Sequence, residues 1–108
     1  MAREKFQTLT EQMFYILLCL GQERCGADVM AWISETTGGR VAVGPGTLYN
    51  LLEQFLQAGY IRETKVEGRK RSYVITPAGR TALAAEVRRL RTLTADYERL
   101  ETAEGGAL

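Results

Sequence analysis

Three consecutive cations, Arg69, Lys70 and Arg71, follow Gly68, and Arg62 and Lys65 lie a few residues upstream. Set against Glu63 and Glu67, they concentrate a net +3 in one short stretch, while the whole chain carries only +1. Cations clustered in this way neutralise phosphates and release condensed counterions, which gives salt-dependent affinity without sequence information. A solvated edge hairpin protected by charge has the same composition. A second set lies between Gly46 and Gln57. Gly46, Asn50, Glu53 and Gln57 recur on one helical face, flanked by Thr47, Tyr49 and Gln54. Asn50 and Gln54 suit paired hydrogen bonds to an adenine edge, and Glu53 can accept from a cytosine amino group. Thr47, near a helix start, can hold a phosphate. A polar, solvent-facing surface carries the same residues.

Other chemistries are excluded by what is missing. The chain has no histidine, so the most frequent general base, the Ser-His triads and the His-containing metal motifs are absent. Neither catalytic activity, a metal nor a cofactor is expected. Two cysteines, Cys19 and Cys25, cannot build a disulfide framework, and no basic-plus-apolar signal peptide opens the chain, which points to a reducing cytoplasm. Cys19 sits inside an apolar run, where cysteine acts as a small hydrophobe. That run, Met13 to Leu20, is far below the roughly 20 residues that span a bilayer, so no membrane partner is expected. With 108 residues, 45% hydrophobic and 25% charged, and a pI of about 7.8, the chain has the composition of one small globular domain whose basic footprint must be local.

The elements that must position these residues follow from spacing. Thr10 offers an N-cap, or Thr8 a capping box with Glu11, for a first helix ending near Gly21. Met13, Ile16, Leu17 and Leu20 share one face of it, while Phe14 and Leu18 point away, so the helix is apolar on two sides. Val29, Met30, Trp32 and Ile33 predict a second helix over Ala27–Thr37, stopped by Gly38 and Gly39. Trp32 is expected in the core or an interface. After Pro45, the apolar positions Leu48, Leu51, Leu52, Phe55 and Leu56 predict a third helix closed by Gly59. Tyr60–Val66 and Arg69–Ile75 read as a two-stranded hairpin turning at Glu67-Gly68. Thr76 and Pro77 open a last helix bearing Leu83, Val87, Leu90, Leu93, Tyr97 and Leu100, too long for the other elements to cover. The expected fold is mainly α with a small β-hairpin: a winged helix-turn-helix with a long C-terminal dimerisation helix. Residues 1–76 form the DNA-binding unit, 77–102 the dimerisation helix and 103–108 a disordered tail.

The Leu9–Leu20 region, Gly44-Pro-Gly-Thr-Leu-Tyr49, Gly59-Tyr-Ile61 and Tyr73-Val-Ile-Thr-Pro-Ala-Gly79 together resemble the PadR family of bacterial transcriptional regulators, over roughly residues 9 to 95. The resemblance implies a winged-helix repressor of the short form. It would dimerise by packing its last helix on the partner's first helix, bind a two-fold operator and be released by small phenolic or drug-like molecules. Carried over by position, the DNA-contacting block falls on Gly46, Thr47, Tyr49 and Asn50, and the basic wing on Arg69, Lys70 and Arg71. Gln54 and Lys65 join them from the charge and polarity pattern. Cys25 and Ala27 stand where relatives commonly have His and Tyr around the shared Gly26, and Ser72 where a second tyrosine is usual.

The expected function is therefore a homodimeric regulator of double-stranded DNA that represses at a palindromic operator and answers to a small aromatic effector. Dimer contacts are expected from Phe14, Leu18, Leu83, Val87, Leu90, Leu93, Tyr97 and Leu100, and effector contacts from Phe14 and Tyr97. The alternative is a protein–protein adaptor that dimerises through the last helix without touching DNA.

Overall fold

The computed structural model describes residues 8–105, in the order α1 (Glu11–Cys19), β1 (Arg24–Cys25), α2 (Gly26–Thr36), α3 (Pro45–Ala58), β2 (Ile61–Glu67), β3 (Lys70–Ile75) and α4 (Pro77–Ala103). Thr10 is the N-cap of α1, its hydroxyl accepting from the Met13 N–H at 3.1 Å, so of the two starts suggested by the sequence the later one is used. Ile16, Leu17 and Leu20 are fully buried beside Val29 and Ile33 of α2 and Leu48, Leu52 and Phe55 of α3, which form the centre of the core. The α3 helix ends at Gly59, whose φ of 78° is the left-handed conformation that glycine adopts without a Cβ penalty.

The expected two-stranded ribbon is a three-stranded antiparallel sheet in the order β1-β3-β2. Arg24 pairs with Tyr73 and Cys25 with Ser72, and a strand of two residues has no alternation by which to recognise it. The hairpin turn also sits one residue later than expected. Glu67 pairs with Lys70, leaving Gly68 and Arg69 as the loop, with positive φ at Gly68 alone. Glycine at the first central position of a two-residue loop is the pattern of a II′ turn, whose twist matches the flanking strands. Arg69 is therefore a turn residue and not part of a strand. A bulge at Thr64 shifts the register between Glu63 and Lys65, and the Thr64 hydroxyl donates to Glu23 at 2.5 Å.

Three contacts lock α4 onto this body. Thr76 caps it by accepting from the Gly79 N–H, while its own hydroxyl donates to the Gly59 carbonyl at 2.6 Å and its N–H to the Tyr60 carbonyl at 2.9 Å. Gly79 is buried so tightly that a Cβ would lie 2.2 Å from the Tyr60 carbonyl oxygen. Two turns further on, Glu86 is the buried charged residue of the described core; it accepts from the Leu9 N–H at 3.2 Å and pairs with Arg89. The Arg89 guanidinium, helped by the Leu9 N–H, holds the Glu86 carboxyl below the ordinary carboxylate range against the opposing effect of burial.

Beyond Glu86 the helix leaves the body. Leu90, Leu93, Tyr97 and Leu100 are all exposed, and the radius of gyration is 16.5 Å, against about 13 Å for a compact chain of this length. The helix runs one residue past the expected boundary, so Ala103 belongs to α4 and not to a tail. Glu104 and Gly105 form a turn, and the remainder of the expected tail, like residues 1–7 of the expected DNA-binding unit, lies outside the described residues.

Candidate nucleic-acid interface

Burial of Leu48, Leu51, Leu52 and Phe55 dictates which face of α3 stays open. Gly46, Thr47, Tyr49, Asn50, Glu53 and Gln57 are exposed, and Gln54 is half-buried at the flank. Glu53 and Gln57 partly satisfy each other, the amide donating to the carboxylate at 3.1 Å. Among the described residues Asn50 and Thr47 make no side-chain hydrogen bond, and both are exposed. Gly46 has no positive φ, and a Cβ there would meet nothing within 4 Å, so neither a turn nor packing demands glycine at this position.

Tyr49 does not pack into the core. It is 48% exposed, and its ring lies across Gly26 at the start of α2, where a Cβ would sit 2.9 Å from the phenol oxygen. The same ring borders a cleft of about 370 Å³ whose other walls are Cys25, Gly26 and Ala27, the wing residues Arg69, Lys70 and Arg71, and Tyr73. Of the two sets picked out by the sequence, Tyr49 from α3 and Arg69, Lys70 and Arg71 from the wing therefore border one opening, which the other polar residues of α3 do not line.

Charge within the wing is uneven. Arg71 donates to Glu63 at 2.8 Å and so is partly neutralised, whereas Arg69 and Lys70 make no ion pair among the described residues. Strand pairing puts Arg71 on the face of Tyr73, and Lys65, opposite Ser72, on the other face. There Lys65 borders a second cleft together with Glu23, Asp28, Glu67 and Lys70, so of the predicted contacts it shares an opening with Lys70 alone, which borders both clefts. Val66 is exposed near the wing tip, directly across from Arg71.

Gly26 and Tyr73 are functional candidates that the sequence did not point to. Twenty-odd residues separate Gly26 from the tyrosine it supports, and Tyr73, within an alternating apolar strand, looks like an ordinary core position. Both cysteines are free and buried, and burial pushes the Cys19 thiol up to about 11, which keeps it protonated and unreactive at neutral pH. Among the described residues no His/Cys/Asp/Glu group is arranged to hold a metal, and no helix is long and apolar enough to cross a membrane.

The model of the transcriptional regulator PadR-like family matches residues 16–85, from α1 through the first turns of α4. The chain belongs to this family. Solved structures place the PadR-like fold beyond the family match. RosR of H. salinarum, in the complex structure with S1, is 27% identical with a TM-score of 0.66 over 90% of this chain and 87% of that one. A transcriptional regulator from Clostridium thermocellum shares the fold at 22% identity and a TM-score of 0.70, covering 80% of this chain and 85% of that chain. Bacillus subtilis PadR, solved in complex with operator DNA, does so at 19% identity and 0.61, covering 84% of this chain and 62% of that one. No curated protein matches the chain. The winged helix and long last helix of this PadR-like transcriptional regulator are thus shared features of fold, while its contacts must be argued from its own side chains.

The expected dimer and effector residues fall into two groups. Phe14, half-buried and edge-on to Tyr15 at 5.3 Å, lines an apolar groove of about 340 Å³ between α1 and α4 with Val87, Leu90, Thr94 and the stems of Arg91 and Glu98. Leu83 packs against the core, whereas Leu18, Leu93, Tyr97 and Leu100 are open. Tyr97 does not line the groove, so within one chain it is not brought together with Phe14. Trp32 is half-buried against the core, with the Arg24 guanidinium 5.5 Å from its ring centre.

Proposed function

We propose that this PadR-like regulator is a cytoplasmic repressor that binds a palindromic operator in double-stranded DNA as a homodimer, with no cofactor. The observation that carries this is the shared opening: Tyr49 of α3 and the unpaired Arg69 and Lys70 of the wing line one cleft, beside an exposed polar face of α3. In this reading residues 1–76 grip DNA. Asn50 and Gln54 contact base edges in the major groove, while Gly46, having no side chain, lets the helix start come close to the strand. Thr47, Tyr49, Arg69, Lys70 and Arg71 hold the backbone, and Lys65, on the opposite face of the wing, adds long-range attraction.

Residues 77–102 supply the dimer contacts, with Leu83, Val87, Leu90, Leu93, Tyr97 and Leu100 covered by the partner's Phe14 and Leu18 region in the way the family resemblance implies. The α1–α4 groove, with Tyr97 contributed across the dimer, receives the small aromatic effector that releases DNA. That Bacillus subtilis PadR was solved with operator DNA supports the choice of partner.

Fluorescence anisotropy of short duplexes across a salt series tests the reading. Retention at about 50 mM salt, with log affinity falling linearly against log salt, is the expected result. Failure to bind any duplex at low salt would favour the adaptor alternative.

A further inference from the structure

The cleft between α2 and the wing has more structure than a cationic patch. Three of its lining residues are cations and none is a carboxylate. One wall is the N-terminus of an eleven-residue helix for which Cys25 supplies no side-chain cap, so the leading N–H groups have no side-chain partner and the positive end of the helix dipole borders the cleft, with Asp28 in the first turn but not among the lining residues. A helix start alone is common. Here it is joined by a second feature, Tyr73, which is only 4% exposed, lines the same cleft and makes no hydrogen bond within the described residues. The ring is buried but no buried polar side-chain atom among the described residues lacks a partner, so the Tyr73 hydroxyl keeps an opening to the cleft and can donate to a ligand there. Burial, reinforced by Glu63, holds the Tyr73 phenol above its ordinary value, so it remains an O–H donor. Tyr49 brings a second phenol to the rim, and the missing side chain of Gly26 is what lets it lie there.

We propose that this cleft is a seat for a single phosphate group, held by the leading N–H groups of α2, the hydroxyls of Tyr73 and Tyr49, and the charges of Arg69 and Lys70. Resting on the DNA-binding reading, it assigns the occupant as a backbone phosphate of the bound duplex. It ties α2, α3 and the wing to the same strand, and it makes Gly26 a positioning residue for Tyr49. A free phosphate has the same chemistry, and the two sources are separable by experiment.

The test follows backbone amide resonances of the full chain, titrated first with inorganic phosphate and then with a short duplex. Both additions should shift the Ala27 and Asp28 amides. Tyr73→Phe, which removes one oxygen, should weaken phosphate binding by about tenfold. Gly26→Ala should do the same by swinging the exposed phenol of Tyr49 aside; the close contacts there are with the end of a flexible side chain, so the fold is retained. Silent amides with both additions, or unchanged binding in both variants, overturn the seat. If the duplex binds while the α2 amides stay silent, the seat fails and the DNA reading stands. If phosphate alone produces the shifts, the seat stands as a small-anion site and the DNA reading fails.

Discussion

Two surfaces of this chain are open, and they are open for opposite reasons. Around α3 and the wing the exposed side chains are polar or cationic, with Tyr49 and Val66 as the large apolar exceptions, so water solvates them at little cost. The outer half of α4 is exposed all round and, together with Leu18, presents the large apolar Leu90, Leu93, Tyr97 and Leu100 among its charged residues; each side chain of this size left in water forgoes about 1.5–3 kcal/mol of burial. The first surface is stable uncovered and waits for a charged ligand. The second calls for a covering surface. Exposure has the same value in both places; residue chemistry decides its meaning.

The comparison breaks most visibly on α4. Leu90→Glu combined with Leu93→Glu should convert a dimer into a monomer in sedimentation at about 10 μM. Operator affinity should fall by about a hundredfold or more, because two half-sites no longer act at a shared effective concentration. A parent chain that sediments as a monomer would remove the distinction between the surfaces.

On the polar side, Asn50→Ala should reduce discrimination between preferred and altered duplexes by about 1–3 kcal/mol, read as a loss of rank order in competition assays. Arg69→Ala with Lys70→Ala should act differently. All duplexes should weaken alike, and the salt slope should shrink by about 2. Identical profiles for these two variants would mean that helix and wing are not divided between base reading and backbone holding.

The smallest effect is expected at the junction of the two surfaces. Glu86→Gln keeps an acceptor for the Leu9 N–H but loses the charge, so stability at pH 7 should fall by about 1 kcal/mol, a few degrees in a melt. The Glu86 carboxyl is depressed in the folded chain, so its contribution is complete above the unfolded carboxylate range and is lost as pH falls through the lower folded value. Parent and variant melts should therefore converge in acid. A gap that persists at pH 2 would place the effect elsewhere.

Much of this architecture was legible in the residues because it is local. Leu48, Leu51, Leu52 and Phe55 announce the buried side of α3 and thereby its polar side, and Gly59 and Thr76 mark ends by backbone chemistry. The missed features depend on distance in sequence. β1 exists only because β3 runs beside it, and Glu86 resembles any solvated helix carboxylate until the Leu9 N–H is placed against it. Gly79 was visible within a motif, but its role, close approach to the Tyr60 carbonyl, belongs to the packed state. The same holds for the interface: the ridge and the wing could be named from composition, whereas the contact of Tyr49 with Gly26 and the unpartnered phenol of Tyr73 could not. The turn was displaced by one residue because Glu-Gly and Gly-Arg both contain the required glycine, and hairpin twist selects between them.

Thr76 has a mechanical consequence. One side chain and its own N–H fasten the end of α3, the base of the wing and the start of a 27-residue helix, making a fulcrum with a long arm on one side. The part of that arm beyond Glu86 is about 25 Å long, so a pivot of about 5° moves its far tip by about 2 Å. In the proposed homodimer, a small change in how two such arms cross would carry over into the spacing of the two recognition helices.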